Sequence, residues 1–284
     1  MPSKSSRRKS NPGKPIRSLS IVCESPANMS LVRDAVSLLK ERIKPIRVKI
    51  QKECFSGESA DLDDVSSAFV RLRVVDPANR DARAIDSFAL RDFEKRILCG
   101  ISRARGVPYE GVGLMKLYQR LIGTIHAIPE EVLIVLTDRL IMTWSDDDLR
   151  FHARVAVFGF PSIVSTSGIV EAPAKPREYY LAKQALSIQG VGDVEPILAR
   201  QFEGRYVEPD DDRTKQILRG YLLQCLFYAY NIKPFCKDKD CALFNAHWQE
   251  EMIHAQVESG KLCAKHEALL DKITGGLPVK WLPQ

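Results

Sequence analysis

Apolar and polar positions change their period twice within the first fifty residues. Leu19, Ile21 and Cys23 alternate with their neighbours at the two-residue spacing of a strand. Pro26 and Asn28 interrupt that alternation, and Asn28 is a residue that can cap a helix. Val32, Ala35, Val36, Leu39 and Ile43 then fall on one helical face. Pro45 ends the helix, and Ile46 to Ile50 alternates again as a second strand. Strand, helix and strand in that order predict a sheet layered with helices.

Two more helical stripes follow. Asp61 to Arg73 places Val65, Ala68, Phe69 and Leu72 together, and Ile85 to Cys99 does the same for Phe88, Phe93, Ile97 and Leu98. Gly100 supplies a stop. Gly106 to Gly113 has no period and reads as a loop before a helix through Leu114, Leu117 and Leu121. Val132 to Leu136 is a continuous apolar run, the pattern of a strand covered on both faces, ending at Thr137 and Asp138. A turn at Asp146 to Asp148 leads to a strand over Ala153 to Phe158. Gly159 to Gly168 is dominated by Gly, Pro, Ser and Thr, and Ala172 to Pro176 reads as a stiff strap. Asp210 to Asp212 opens a long apolar helix from about Arg213 to Tyr230, with acid at the positive end of its dipole. Pro234 ends it, and no internal repeat is evident.

The fold class expected is therefore α/β, a mixed twisted sheet layered with helices plus a smaller C-terminal part. The expected organisation is a tail over 1–17, an α/β subdomain over 18–232 and a metal-stapled subdomain over 233–284.

Charge changes this picture at one end only. The net charge of +6 is carried by Lys4, Arg7, Arg8, Lys9, Lys14 and Arg17, and the remaining chain is formally neutral. A cationic stretch rich in Ser, Pro and Gly lacks the apolar surface to fold and suits a polyanion-binding arm or a solubilising leader. It also lacks the apolar centre of a secretory signal, and no apolar run reaches membrane-spanning length. Seven cysteines without an export signal point to the reducing cytoplasm, where paired cysteines more often bind metal than form disulfides.

The candidate chemistry lies between residues 236 and 266. Cys236 and Cys241 are separated by four residues, and Cys263 and His266 by two. Two chelating pairs across a long insertion predict one closed, structural zinc site, with His247 able to replace His266 as fourth ligand. Between the pairs, a helix through His247, Glu251 and His254 would set two imidazoles and a carboxylate on one face. Such a face could hold a reactive metal beside Glu250 as base. Asp146, Asp147 and Asp148 with His152 lack the alternation and glycine of an EF-hand loop and read as a solvated turn. Lys175 and Arg177 could meet an anion, and Tyr179 and Tyr180 could stack a base, although a strap explains the same prolines. Ser165, Thr166 and Ser167 precede Gly168 without a lysine at P-loop spacing.

A long helix leading directly into Cys236-Lys-Asp-Lys-Asp-Cys241-Ala-Leu243, with Cys263-Ala-Lys-His266 nineteen residues later, resembles the archaemetzincins. That family carries His-Glu-x-x-His-x-x-Gly-x-x-His, then Cys-x4-Cys-x-Met, then Cys-x-x-Cys. Leu243 stands for the Met and His266 for the last cysteine. The resemblance implies a metzincin-like topology and aligns the catalytic motif with Cys225, Leu226, Ala229, Ile232 and Phe235. These replace the first histidine, the glutamate, the second histidine, the glycine and the third histidine. The resemblance thus implies an archaeal, archaemetzincin-like pseudopeptidase that keeps a structural zinc and has lost the hydrolytic one. Its expected partner is a protein or nucleic acid, met through the former cleft and the basic tail. The competing expectation is a hydrolase using His247, Glu251 and His254.

Overall fold

The computed structural model describes residues 16–52, 61–122 and 131–275. Its main sheet orders five strands as β2 (Arg47–Lys52), β1 (Ser18–Cys23), β4 (Glu131–Thr137), β8 (Ser162–Ser165) and β7 (Ala156–Val157). All pair in parallel except β7 with β8. A smaller sheet joins β3 (Pro108–Glu110), β5 (Leu140–Ser145) and β6 (Arg150–Arg154).

Strand β1 organises both layers. Leu19, Ile21 and Cys23 face a core shared with Ile134, Leu136 and Val164 and with helices α1 (Met29–Lys40), α8 (Thr214–Ala229) and α10 (Ala264–Thr274). Val22, Leu133, Val135 and Ile163 face the opposite core, under α2 (Leu62–Arg71), α3 (Phe88–Leu98) and α4 (Gly111–Ile122). Covering on both faces is why β4 is apolar from Val132 to Leu136. The chain leaves β1 through α1 to β2 on one side and returns to β4 on the other, so the strand order reverses between β1 and β4. Cys241, Leu243, Met252, Leu269 and Leu270 belong to the same core as the first face of the sheet.

Several sequence expectations need correction. Gly106 to Gly113 is no plain loop: Tyr109 pairs with Ile141 in β3, and α4 already begins at Gly111. A Cβ at Gly111 would lie 2.6 Å from Ile141 Cγ2, so only glycine permits this approach. The strand expected over Ala153 to Phe158 is split at Val155, its halves pairing in different sheets. The Ser-rich stretch after Gly159 contains β8, buried at all four positions. Helices α5 (Thr166–Glu171), α6 (Arg177–Ile188) and α7 (Glu195–Gln201) complete the middle of the chain. No helix of the described residues is long and apolar enough to cross a membrane.

Candidate metal centre

Cys236, Cys241, Cys263 and His266 converge so that one ligand atom from each lies within 4.8 Å of every other. The Sγ atoms of Cys236 and Cys263 are 3.9 Å apart, and His266 Nδ1 stands 3.1 Å from Cys263 Sγ and 3.7 Å from Cys241 Sγ. A tetrahedral ion with metal–sulfur bonds of about 2.3 Å gives sulfur–sulfur edges of about 3.8 Å. Three thiols and an imidazole at this spacing fit a metal ion, and this is the one such group among the described residues.

The backbone around the group explains its shape. The segment after α8 folds back on itself, with Cys236 N–H donating to Leu243 O at 2.8 Å and Asn245 N–H to Cys236 O at 3.2 Å. Ala242 N–H reaches Lys261 O at 2.7 Å and ties this loop to the segment entering α10. Cys263 is the N-cap of α10, which puts His266 on the first turn facing the two loop cysteines. The N–H groups of Asp238 and Cys263 point at the sulfurs of Cys236 and Cys241, each at 3.4 Å. Donors aimed at sulfur favour the thiolate form that a metal requires. His266 is buried, with its ring edge-on to Phe227 of α8.

Helix α8 offers nothing comparable. Cys225 and Leu226 are fully buried, and Phe235 packs against Phe158 at 5.5 Å between ring centroids. Burial pushes the Cys225 thiol up to about 12, against a hydrogen bond with Ser162, so it stays protonated at neutral pH.

The second constellation is not brought together as a helical face. Helix α9 (Gln249–Ile253) begins after His247, because Glu251 Oε2 accepts the N–H groups of His247 at 3.0 Å and Trp248 at 3.3 Å. The premise of one helix through all three residues is therefore corrected. Glu251 closes the start of α9, while His254 pairs instead with Asp240 at 2.7 Å and Glu258 at 2.9 Å. Glu250 binds Arg205 at 2.6 Å. His247 lies apart from the Cys236 group, its Nε2 near Asn245.

The lesser candidates resolve into structure. His152 pairs with Asp148 in the exposed turn between β5 and β6. Lys175 Nζ sits 4.4 Å and 4.2 Å from the ring centroids of Tyr179 and Tyr206, an internal cation–π contact. Ser165 caps α5, accepting from Gly168 N–H at 2.8 Å. Of the basic tail, Lys4, Arg7, Arg8, Lys9 and Lys14 lie outside the described residues, and Arg17 is exposed just before β1.

Sequence reasoning missed a buried ionic network at the carboxyl end of the main sheet. Arg139 is fully buried and binds Glu24 at 2.8 Å and Glu94 at 2.6 Å. Its guanidinium also stacks on Phe69, 3.8 Å from the ring centroid. Beside it, Asp138 accepts from Arg103, Thr166 and Asn28.

With this geometry in place, comparison supplies the family. A sequence model of a probable metallopeptidase family (DUF6775) matches residues 20–273, and the chain belongs to that family. No curated protein matches the chain in sequence. Among solved structures, the archaemetzincin (amzA) of Methanopyrus kandleri, a crystal structure at 1.5 Å resolution, is similar at 12% identity. The match has a TM-score of 0.43 and covers 91% of this chain and 95% of that one.

Proposed function

We propose that this member of a probable metallopeptidase family is catalytically degenerate: a pseudopeptidase that binds a partner and does not hydrolyse peptides. One observation carries the reading. The sequence resemblance to archaemetzincins aligns the first histidine and the glutamate of the catalytic motif with Cys225 and Leu226, and both side chains are sealed in the core. A buried leucine cannot take a proton from water, and Cys225 belongs to no group among the described residues that could share a metal ion.

Zinc is the ion we assign to Cys236, Cys241, Cys263 and His266. Soft thiolates with one imidazole in a tetrahedral set suit it, and four protein ligands leave no position for a substrate. When bound, zinc supplies a cross-link there. The residues themselves do the rest: Cys236 and Cys241 fix the loop after α8, and Cys263 and His266 fix the start of α10. A chain relying on free thiols in this way suits the cytoplasm. The cationic residues Lys4 to Arg17 would add salt-sensitive attraction to a protein or nucleic-acid partner met at the former cleft.

A peptide-hydrolysis panel on the zinc-loaded full chain tests the main claim. We expect no turnover above buffer. Turnover lost in Glu250→Gln would overturn the reading in favour of a hydrolase using the His247, Glu251 and His254 region. For the tail, deleting residues 1–17 should flatten the salt dependence of RNA binding, and unchanged dependence would reject that role.

A further inference from the structure

A cavity of about 530 Å3 opens beyond the carboxyl ends of β1, β4 and β8, where the strand order reverses. Open α/β sheets bind small ligands in this crevice, and cavities of this size suit small molecules. None of the four metal-site residues lines it, so it is independent of the zinc reading.

Its two arginines are held in different ways. Arg103 donates to Asp138 through Nε at 2.8 Å and Nη2 at 3.0 Å, and to Asn28 Oδ1 at 3.1 Å. Asp138 is buried and also accepts from Thr166 Oγ1 at 2.6 Å and Asn28 Nδ2 at 2.8 Å. That network fixes Arg103 in the wall and leaves its Nη1 without a hydrogen bond among the described residues. Arg105 instead gives both terminal nitrogens to the carboxylate of Asp210, at 3.1 Å and 2.8 Å. This second pair is open to solvent, the Asp210 side chain being 75% exposed. Asp210 makes it from a left-handed backbone, φ 66°, a conformation uncommon outside glycine.

An exposed pair of this kind contributes little to stability. Its geometry is that of bidentate carboxylate recognition by arginine. Elsewhere in the lining, Asp34, Glu171 and Asp212 form no ion pair among the described residues, and neither does Lys215, so acids outnumber the one free cation. Their charge disfavours a polyanion and favours a ligand with a cationic end.

We propose that the cavity binds a small zwitterion, a free α-amino acid or short peptide. Its carboxylate takes the Arg105 fork from Asp210, and its ammonium group is met by an acid of the lining, Asp34, Glu171 or Asp212. Asp210 is then an internal competitor that occupies the fork until the ligand arrives.

Titration calorimetry on the full chain tests this with alanine, dialanine, dialanine amide and N-acetyl-dialanine as probes. We expect alanine or dialanine to bind, and amidation of its carboxylate to weaken binding at least about tenfold, the worth of one charge-assisted hydrogen bond. Acetylation of its amine should also weaken it. Arg105→Ala, an exposed change that spares the Arg103 network, should match the loss on amidation. Asp210→Asn should tighten binding severalfold by removing the competitor. Four results overturn the proposal: no binding by either zwitterion, equal binding by the amide, indifference to Arg105→Ala, or weaker binding in Asp210→Asn.

Discussion

The imidazole of His266 stands edge-on to the ring of Phe227, with 5.6 Å between centroids and 83° between planes. One residue is a ligand of the candidate metal centre, and the other lies in α8, two positions after Cys225. Helix α8 thus forms a wall of the candidate metal centre. Removing the ion should therefore loosen more than the loop that holds it.

Chelation tests that coupling. Stripping the metal, or the substitution Cys241→Ser, should lower stability by more than about 3 kcal/mol, a loss typical of metal removal. Thermal unfolding followed by near-ultraviolet dichroism would show it, because Phe227 packs on His266 itself and its neighbour Tyr228 packs on Phe158. An unchanged transition would mean that the four ligands hold nothing of structural weight.

Leu226→Glu distinguishes a core position from a dormant active site. A carboxylate at a side chain with no exposure has no partner there, and the variant should lose more than about 3 kcal/mol without gaining activity. Urea unfolding measures the loss. A stable variant would reveal a hydrated cleft around Leu226, contrary to the burial described above.

Asp138 sets an acid sensitivity of known sign. Burial pushes its carboxyl up, but hydrogen bonds from Arg103, Thr166 and Asn28 outweigh this and hold it below the ordinary value. A depressed folded pKa contributes stability that is complete above the unfolded value near ~3.9 and is lost as pH falls through the folded one. Asp138→Asn should thus flatten the dependence of unfolding free energy on pH below about 4. An identical slope in both proteins would contradict the assignment.

Arg139 holds the sheet to α3 through charge. Replacing it with leucine leaves Glu24 buried without its cation, while Glu94 keeps Arg73 at 2.6 Å, a cost of about 3–5 kcal/mol. Glu24→Gln added to Arg139→Leu should return part of that loss, as a double-mutant cycle would measure.

The sequence conveyed some of this directly. The spacing of Cys236, Cys241, Cys263 and His266 identified a cluster that the fold does assemble, since a four-ligand site writes its geometry into short local intervals. Strand β4 is equally plain, because burial on both faces makes Val132 to Leu136 an unbroken apolar run. Strand β8 was hidden by its serines, which are buried yet satisfied: Ser165 Oγ donates to Arg139 O at 2.6 Å. Helix α6 buries only Tyr179, so it has no apolar stripe to read. The Glu24, Glu94 and Arg139 network and the cavity beside Arg105 join residues far apart in the chain, and no local period encodes such meetings. The face expected for His247, Glu251 and His254 failed for a local reason. Glu251 uses its carboxylate to cap a helix that starts two residues too late.

Metal analysis of the purified full chain, by mass spectrometry, bears most directly on the central claim. The account requires one zinc per chain, retained in His254→Ala and lost in Cys241→Ser. Two equivalents, or one that survives Cys241→Ser and disappears in His254→Ala, would place a reactive metal elsewhere and contradict it.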